Sequence, residues 1–444
     1  MNSMLIPGRT LSIAGLTVTG GADFASAEDI ASAFQTGTTV GNAVVSGVLD
    51  AGYQVSASDF SIFFTAVTPG NKPDLVVEGS GATSAYTSLT QGTQGATGPR
   101  FTNFDILRLA SNNAGDAQTF DTSLLSGIQS YQIAAAAAVP GTSSVTLDQL
   151  ADGASIAFLG NHGNATLNLA NTAGTSDSLN VTLGNAVASN GALTDGVQVT
   201  LIAPGVETIN LHSVGTAGGT GVNTFVDDAG TNTTLSTLVI DGTQALSLQL
   251  QAVAQALTVD ASALAASLDV QGAAATQVLD VTGGAASDTI LGGQAGGRII
   301  GGAGGDLITL YQGGGADTVA YQRAADSRQD FVNAAGTAAS TQDAISNFAV
   351  GVDKIDLKAL ALDAALQSFV IKSYVTPELL LADEALADFY LDNGVARGAV
   401  VARVLGDTYL VVDANGDGVF NATTDLVVKL NGVNALVAGD VVYA

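Results

Sequence analysis

The chain has 444 residues, 47% of them hydrophobic and 12% charged, with 40 acidic against 13 basic side chains for a net charge of −27. A surface this acidic repels phosphate backbones and excludes nucleic acid as a partner. The absence of cysteine excludes a disulfide scaffold and any thiolate zinc site.

The length permits two or three domains, and 54 glycines with no tryptophan suit many short, tightly turned strands. Residues 1–279 hold only Arg9, Lys72, Arg100 and Arg108 among 20 acids, a net −16. Such a balance asks for a counter-cation, and a hard divalent metal such as Ca2+, bound by carboxylates and carbonyls, is the natural one. Residues 1–7 lack a basic stretch followed by an apolar core, so no cleaved secretory signal is expected. The longest apolar stretch, 133–140, is mostly alanine and too short for a transmembrane segment.

In chain order, residues 25–34 predict one amphipathic helix, with Ile30 and Phe34 a turn apart and Ser26 as its cap. Alternation over 61–67 predicts a strand, and the Gly/Thr/Ser/Gln-rich stretch 81–99 a linker or loop. Strand fragments follow at 104–109 and 206–211. Leu235, Leu246, Leu257, Leu268, Leu279 and Ile290 then recur at every eleventh position. Around them apolar residues alternate with Ser, Thr or Asp, as in Leu268-Asp269-Val270. A coiled coil of the same period is the alternative, rejected because β-branched residues and glycines are poor helix formers. Stacked strands that share one core are expected instead.

At Ile290 the period drops to nine: Ile290, Ile299, Ile308. The copies run 283–291, 292–300 and 301–309, with a shifted copy at 313–319 after the inserted Leu310 and Tyr311. They resemble the RTX nonapeptide G-G-x-G-x-D-x-U-x, where U is a large apolar residue. The third copy, with Gly302, Gly304 and Asp306, matches at every specified position. The first, with Gly284 and Asp288, lacks the fourth-position glycine, and the second has Gly297 where aspartate belongs. Glycine turns of this length bring carbonyl oxygens and a carboxylate towards one point. The resemblance implies a β-roll whose calcium ions are shared by every second copy, as between Asp288 and Asp306. Gly297 and the displaced Asp317 make a degraded site on the other side.

Residues 343–348 and 351–357 are similar to the D-x-I-x-D/N-F-x-x-G-x-D-K-I-D-L segment that follows the roll in proteins exported by type I secretion. There Asp353 and Asp356 either add oxygen ligands or cap the roll beside a strand that turns into a helix-like 359–366. Further on, Asp413, Asn415 and Asp417 precede Gly418 in the D-x-N-x-D-G core of EF-hand or dockerin-type loops, with Asn421 and Asp425 following. The flanks, 409–412 and 426–428, read as strands. The loop therefore joins a β-hairpin, and either binds calcium or is an Asx-rich turn. The apolar ending at 441–444 is similar to uncleaved type I export signals.

No H-E-x-x-H or G-x-S-x-G motif occurs, and the two histidines, His162 and His212, lie far apart in the chain. His162 reads as an exposed turn residue, and no enzyme activity is expected. The strand style over residues 100–320, including 205–215, resembles the threonine- and alanine-rich solenoid of S-layer proteins with RTX C-termini. The fold expected is mostly β: a parallel β-solenoid/β-roll with a small α+β module at 1–99, solenoid at 100–280, calcium-binding roll and cap at 281–357, and a β-rich region carrying the export signal at 358–444. The resemblance implies an extracellular, cell-surface protein that forms a Ca2+-dependent lattice with copies of itself. It also implies partners in lipopolysaccharide or another surface polysaccharide and in the type I secretion apparatus. A secreted adhesin or biofilm matrix protein, and a type I-secreted carbohydrate-active enzyme, are the alternatives.

Overall fold

A computed structural model describes residues 7–48, the strands Tyr53–Ser58, Ser61–Ala66 and Val77–Gly79, and residues 106–110, 117–134, 144–184, 196–215, 220–328, 341–375, 380 and 388–443, apart from 14, 24, 126, 127, 129, 229, 252, 405, 422 and 423. The predicted linker 81–99 lies outside the described residues. Near the N-terminus, helix Ala27–Thr36 starts at Ser26, whose hydroxyl accepts from the Asp29 amide (3.0 Å) while Asp29 accepts from the Ser26 amide (3.3 Å). This reciprocal cap satisfies two otherwise orphaned donors. Gly37, in the left-handed region at φ +66°, ends the helix. Phe34, Ala33 and Ile30 pack on Leu16, Val18 and Ala43 of an antiparallel sheet built from Thr10–Ile13, Leu16–Gly20, Ala43–Gly47 and Val77–Gly79.

From Ile106 onwards, successive strands are laid alternately into two parallel sheets. One has 12 strands, from Ile106–Ala110 to Val441–Val442; the other has 14, beginning at Ala117–Asp121. Leu246 pairs with Leu268 and Leu257 with Leu279, so two periods of eleven make one full coil. Thr289 pairs with Leu307, and the coil shrinks to two nonapeptides. Within each strand alternate residues face inward: Leu246 and Leu248 are buried while Ser247 between them is half-buried. One hydrophobic core thus runs from Leu107 to Val441. Each fully buried Leu or Val adds about 1.5–3 kcal/mol.

The 14-stranded sheet is extended at its C-terminal end. Asp343–Ser346 pairs in parallel with Leu426–Leu430, which pairs antiparallel with Asp407–Val412; that strand pairs antiparallel with Ala399–Val404, and Phe369–Tyr374 lies parallel to Ala399–Val404 at the edge. Phe389, Tyr390 and Leu380 cover the second face of this extension. Two sequence expectations change. Residues 359–366 form two short 3-10 turns, Lys358–Leu360 and Ala364–Leu366, because Ala361 adopts φ +52° and the Asp363 carboxylate caps the second turn at Ala365. His162 is buried rather than exposed. It packs edge-on to Phe158 and reaches the Ala134 carbonyl at 3.2 Å, and burial lowers its pKa.

Candidate metal centre

Each nonapeptide turn delivers its aspartate just before an inward-facing strand, so the carboxylate lies between coils rather than in solvent. Asp288, Asp306 and Asp343 precede or open Thr289–Leu291, Leu307–Thr309 and Asp343–Ser346 in one sheet, and all three are buried. Each passes one oxygen to the coil before it. Asp288 accepts from the Leu268 amide (2.8 Å), Asp306 from Asp288 (2.8 Å) and Asp343 from Asp306 (2.9 Å). The second oxygen of Asp288 closes its own turn on the Gly284 amide (2.7 Å). Oδ2 of Asp306 and Oδ2 of Asp343 are buried with no hydrogen-bond partner.

The glycines make room for this stack. Gly302 sits at φ +103° and a Cβ there would strike the Gly284 carbonyl; Gly304, at φ +127°, lies against the backbone of Ala286. A Cβ on Gly301 would collide with the Asp306 carboxylate. Carbonyls and carboxylates of successive coils are therefore held in one cradle.

The other sheet repeats the arrangement. Asp317 stands in register with Gly297, and its own amide donates to Asp353 (2.9 Å). Asp353 closes its turn on the Ala349 amide (2.7 Å), and Oδ1 of Asp317 is buried and unpartnered. Asp440 accepts from Gly351 (2.8 Å) and Val437 (2.9 Å) and ends the row. Asp356 is not brought to these rows. It faces outward, bound to Arg298 (2.7 Å) and the Lys358 amide (3.0 Å).

The third group fills the hairpin loop between Asp407–Val412 and Leu426–Leu430. Buried Asp413 gathers the amides of Gly416 (2.8 Å), Asp417 (3.2 Å) and Gly418 (2.8 Å). Asn415 bridges to Asp417 (2.9 Å). Asp425, buried, accepts from the Asn421 amide (2.9 Å) and the Tyr390 hydroxyl (3.0 Å), leaving Oδ1 unpartnered.

Burial costs these carboxylates their hydration, and it is the first cause of every shift. Asp288 and Asp425 are pushed up to about 6, and Asp306 and Asp317 to about 7. Asp343, beside the Asp306 charge, rises well above its ordinary value. Among the described residues no three acids or histidines gather round one point. The donors on offer are therefore single carboxylate oxygens supplemented by glycine-turn carbonyls. An all-oxygen set with orphaned, buried, acidic atoms fits Ca2+. Asp288, Asp306, Asp343 and the turn glycines would hold it on one side, Asp317 and Asp353 on the other, and Asp413, Asn415, Asp417 and Asp425 in the hairpin loop.

Asp343 and Asp440 are not among the sequence-derived candidates. Asp343-Ala344-Ile345 repeats the D-x-apolar ending of Asp306-Leu307-Ile308, but without a glycine turn before it. That ending was the available signal. Nothing near Asp440 marks it, because its role depends on Gly351, far back in the chain.

Residues 225–443 match the protein-family model described as Peptidase M10 serralysin C terminal. No curated protein matches the chain. Residues 225–443 are thus similar to the RTX-type, calcium-binding β-roll domain found in type I-secreted proteins, a likeness that implies a secreted protein. No helix among the described residues is long and apolar enough to cross a membrane.

Proposed function

We propose that this protein is an extracellular structural protein, not an enzyme, that forms a calcium-dependent lattice on the cell surface, as S-layer proteins do. The observation that carries this reading is the unbroken two-sheet core from Leu107 to Val441, which unites the calcium-binding roll with a long solenoid as one body. A long stack of coils with continuous outer sheet faces offers a broad surface for self-association.

Before export, where free calcium is low, Asp288, Asp306, Asp343, Asp317 and Asp353 repel one another and keep the roll open. Bound calcium supplies the positive charge that lets these buried carboxylates stay ionised. Sites tuned to about 10⁻⁴–10⁻³ M, the range of extracellular modules, would fill only outside the cell. Lipopolysaccharide or another surface polysaccharide is the anchor we assign.

The test is a calcium titration of chelator-treated protein, followed by circular dichroism, light scattering and electron microscopy. Folding and two-dimensional arrays near millimolar calcium are expected. Folding without arrays favours the secreted adhesin or matrix protein, and release of reducing ends from polysaccharide favours a carbohydrate-active enzyme. No response to calcium overturns the reading.

A further inference from the structure

Two depressions of opposite character lie on the outer face of the 12-stranded sheet. The first, about 390 Å³, is lined by Asn180, Asn210, His212, Val239 and Asp241 from the strands Ser178–Leu183, Thr208–Ser213 and Thr237–Gly242. Asp241 is hydrogen-bonded to His212 Nδ1 and its side chain is half exposed. No Lys or Arg occurs between Arg108 and Arg298, so among the side chains lining this cleft only His212, when protonated, offsets the Asp241 charge.

The second, about 440 Å³, is lined by Arg298, Thr318, Lys354, Asp356, Lys358 and Val278. Arg298 engages Asp356 (2.7 Å) and its amide donates to Asp280, while Lys354 lies 3.8 Å from buried Asp440. Lys358 has no ion-pair partner among the described residues, which leaves this cleft a surplus cation in a strongly acidic chain. Exposed Val278 and Val239 give each cleft an apolar contact point.

The clefts sit either side of Leu257–Leu264 and Leu279–Thr282 in the same sheet. A twofold axis parallel to those two strands, in front of the face, sets each cleft of one copy opposite the unlike cleft of another. We propose that the protein pairs face to face with a second copy of itself, the Lys358 cleft of each seated against the Asp241 cleft of the other. Such an isologous contact closes as a dimer, the unit from which wider arrays grow. The inference rests on the self-assembly reading above and names the face that performs it. Charge complementarity here governs pairing and register.

The chain has no cysteine, so cross-links report contacts cleanly. Lys358→Cys and Asp241→Cys proteins, mixed in millimolar calcium under mild oxidation, should form a mixed disulfide dimer, and neither should dimerise covalently alone. By sedimentation, Lys358→Glu and Asp241→Lys should each weaken the dimer at least tenfold, and the two together should restore it. Circular dichroism checks that each variant folds with calcium. Absence of the mixed disulfide, or charge reversal without effect, overturns the proposal even if arrays form. A dimer with these properties that never forms arrays overturns the lattice reading and leaves the paired face standing. A chain that stays monomeric overturns both.

Discussion

Asn223, in the upper coils, and Asp306, in the nonapeptides, occupy the same place in the architecture, at the mouth of an inward-facing strand. Both reach back to an amide of the preceding coil: Asn223 Oδ1 accepts from Val197 (2.9 Å), Asp306 Oδ1 from Asp288 (2.8 Å). They differ in the other atom. Asn223 Nδ2 donates to the Leu183 and Val214 carbonyls and the Ser213 hydroxyl, each at 3.0 Å. Asn232 does likewise, holding Ala203, Leu201 and Asp227. Asp306 has a bare acceptor instead. The amide closes its coil with groups from the chain alone. The carboxylate leaves that place open, and because an unpaired buried charge costs several kcal/mol, a proton or, on the calcium reading proposed above, a cation would have to stand where the amide nitrogen is. The molecule therefore joins coils closed by the chain's own amides to coils whose aspartates keep a bare buried oxygen, on a single core.

The broadest way to break this comparison is to remove calcium. Hydrogen exchange in chelator should show lost protection over 284–319, 341–357 and 407–430, with protection kept over 144–183 and 237–270. Uniform loss along the solenoid would mean that the two parts do not differ. Next in size, Asn223→Asp places an acceptor among three oxygens and should lower stability by about 3–5 kcal/mol in thermal melts. Calcium should return part of that loss, since the same oxygens then form a ligand set. Conversely, Asp306→Asn should leave the calcium-free protein about 1–3 kcal/mol more stable and shrink its response to calcium.

Protons provide a smaller lever. Asp288 and Asp425 at about 6, and Asp306 and Asp317 at about 7, lie above the unfolded value of 3.8. The folded, calcium-free chain binds the extra protons, so its stability is full below about pH 4 and is lost as pH rises through 6 to 7. Each carboxylate contributes about 1.4 kcal/mol per pKa unit. Urea denaturation should find the calcium-free roll more stable at pH 5 than at pH 8, and calcium should stabilise it more at pH 8. Last, Ser26→Ala removes the helix cap and should cost about 1 kcal/mol, confined to the N-terminal module and unmoved by calcium.

Much of this fold is open to reading along the chain, because a solenoid writes its coil length into the spacing of its apolar residues. Leu246, Leu257, Leu268 and Leu279 mark strands that do pair two periods apart, whereas Leu235 lies just before its strand and out of that register; Ile290, Ile299 and Ile308 mark the narrower coil. Glycines at 302 and 304 announce turns that no side chain could enter. The Asp413 loop is readable as a hairpin from its strand-like flanks. His162 is the exception, because its neighbours, Asn161 and Gly163, suit a surface turn. Its burial comes from Phe158 and from the Ala134 carbonyl of the preceding coil.

What local order could not decide is which acids share a site. Asp353 and Asp356 belong to one short segment and are chemically alike, yet one turns inward to Asp317 and the other outward to Arg298. Strand pleating assigns the side, and the partners come from other coils. Asp440 meets Gly351, and the Lys358 and Asp241 clefts share a face, for the same reason. Period, turn positions and oxygen-rich chemistry follow from the order of residues alone, since near neighbours along the chain set all three. Which carboxylate oxygens lack a partner follows only from the folded molecule, since that depends on how distant coils are stacked.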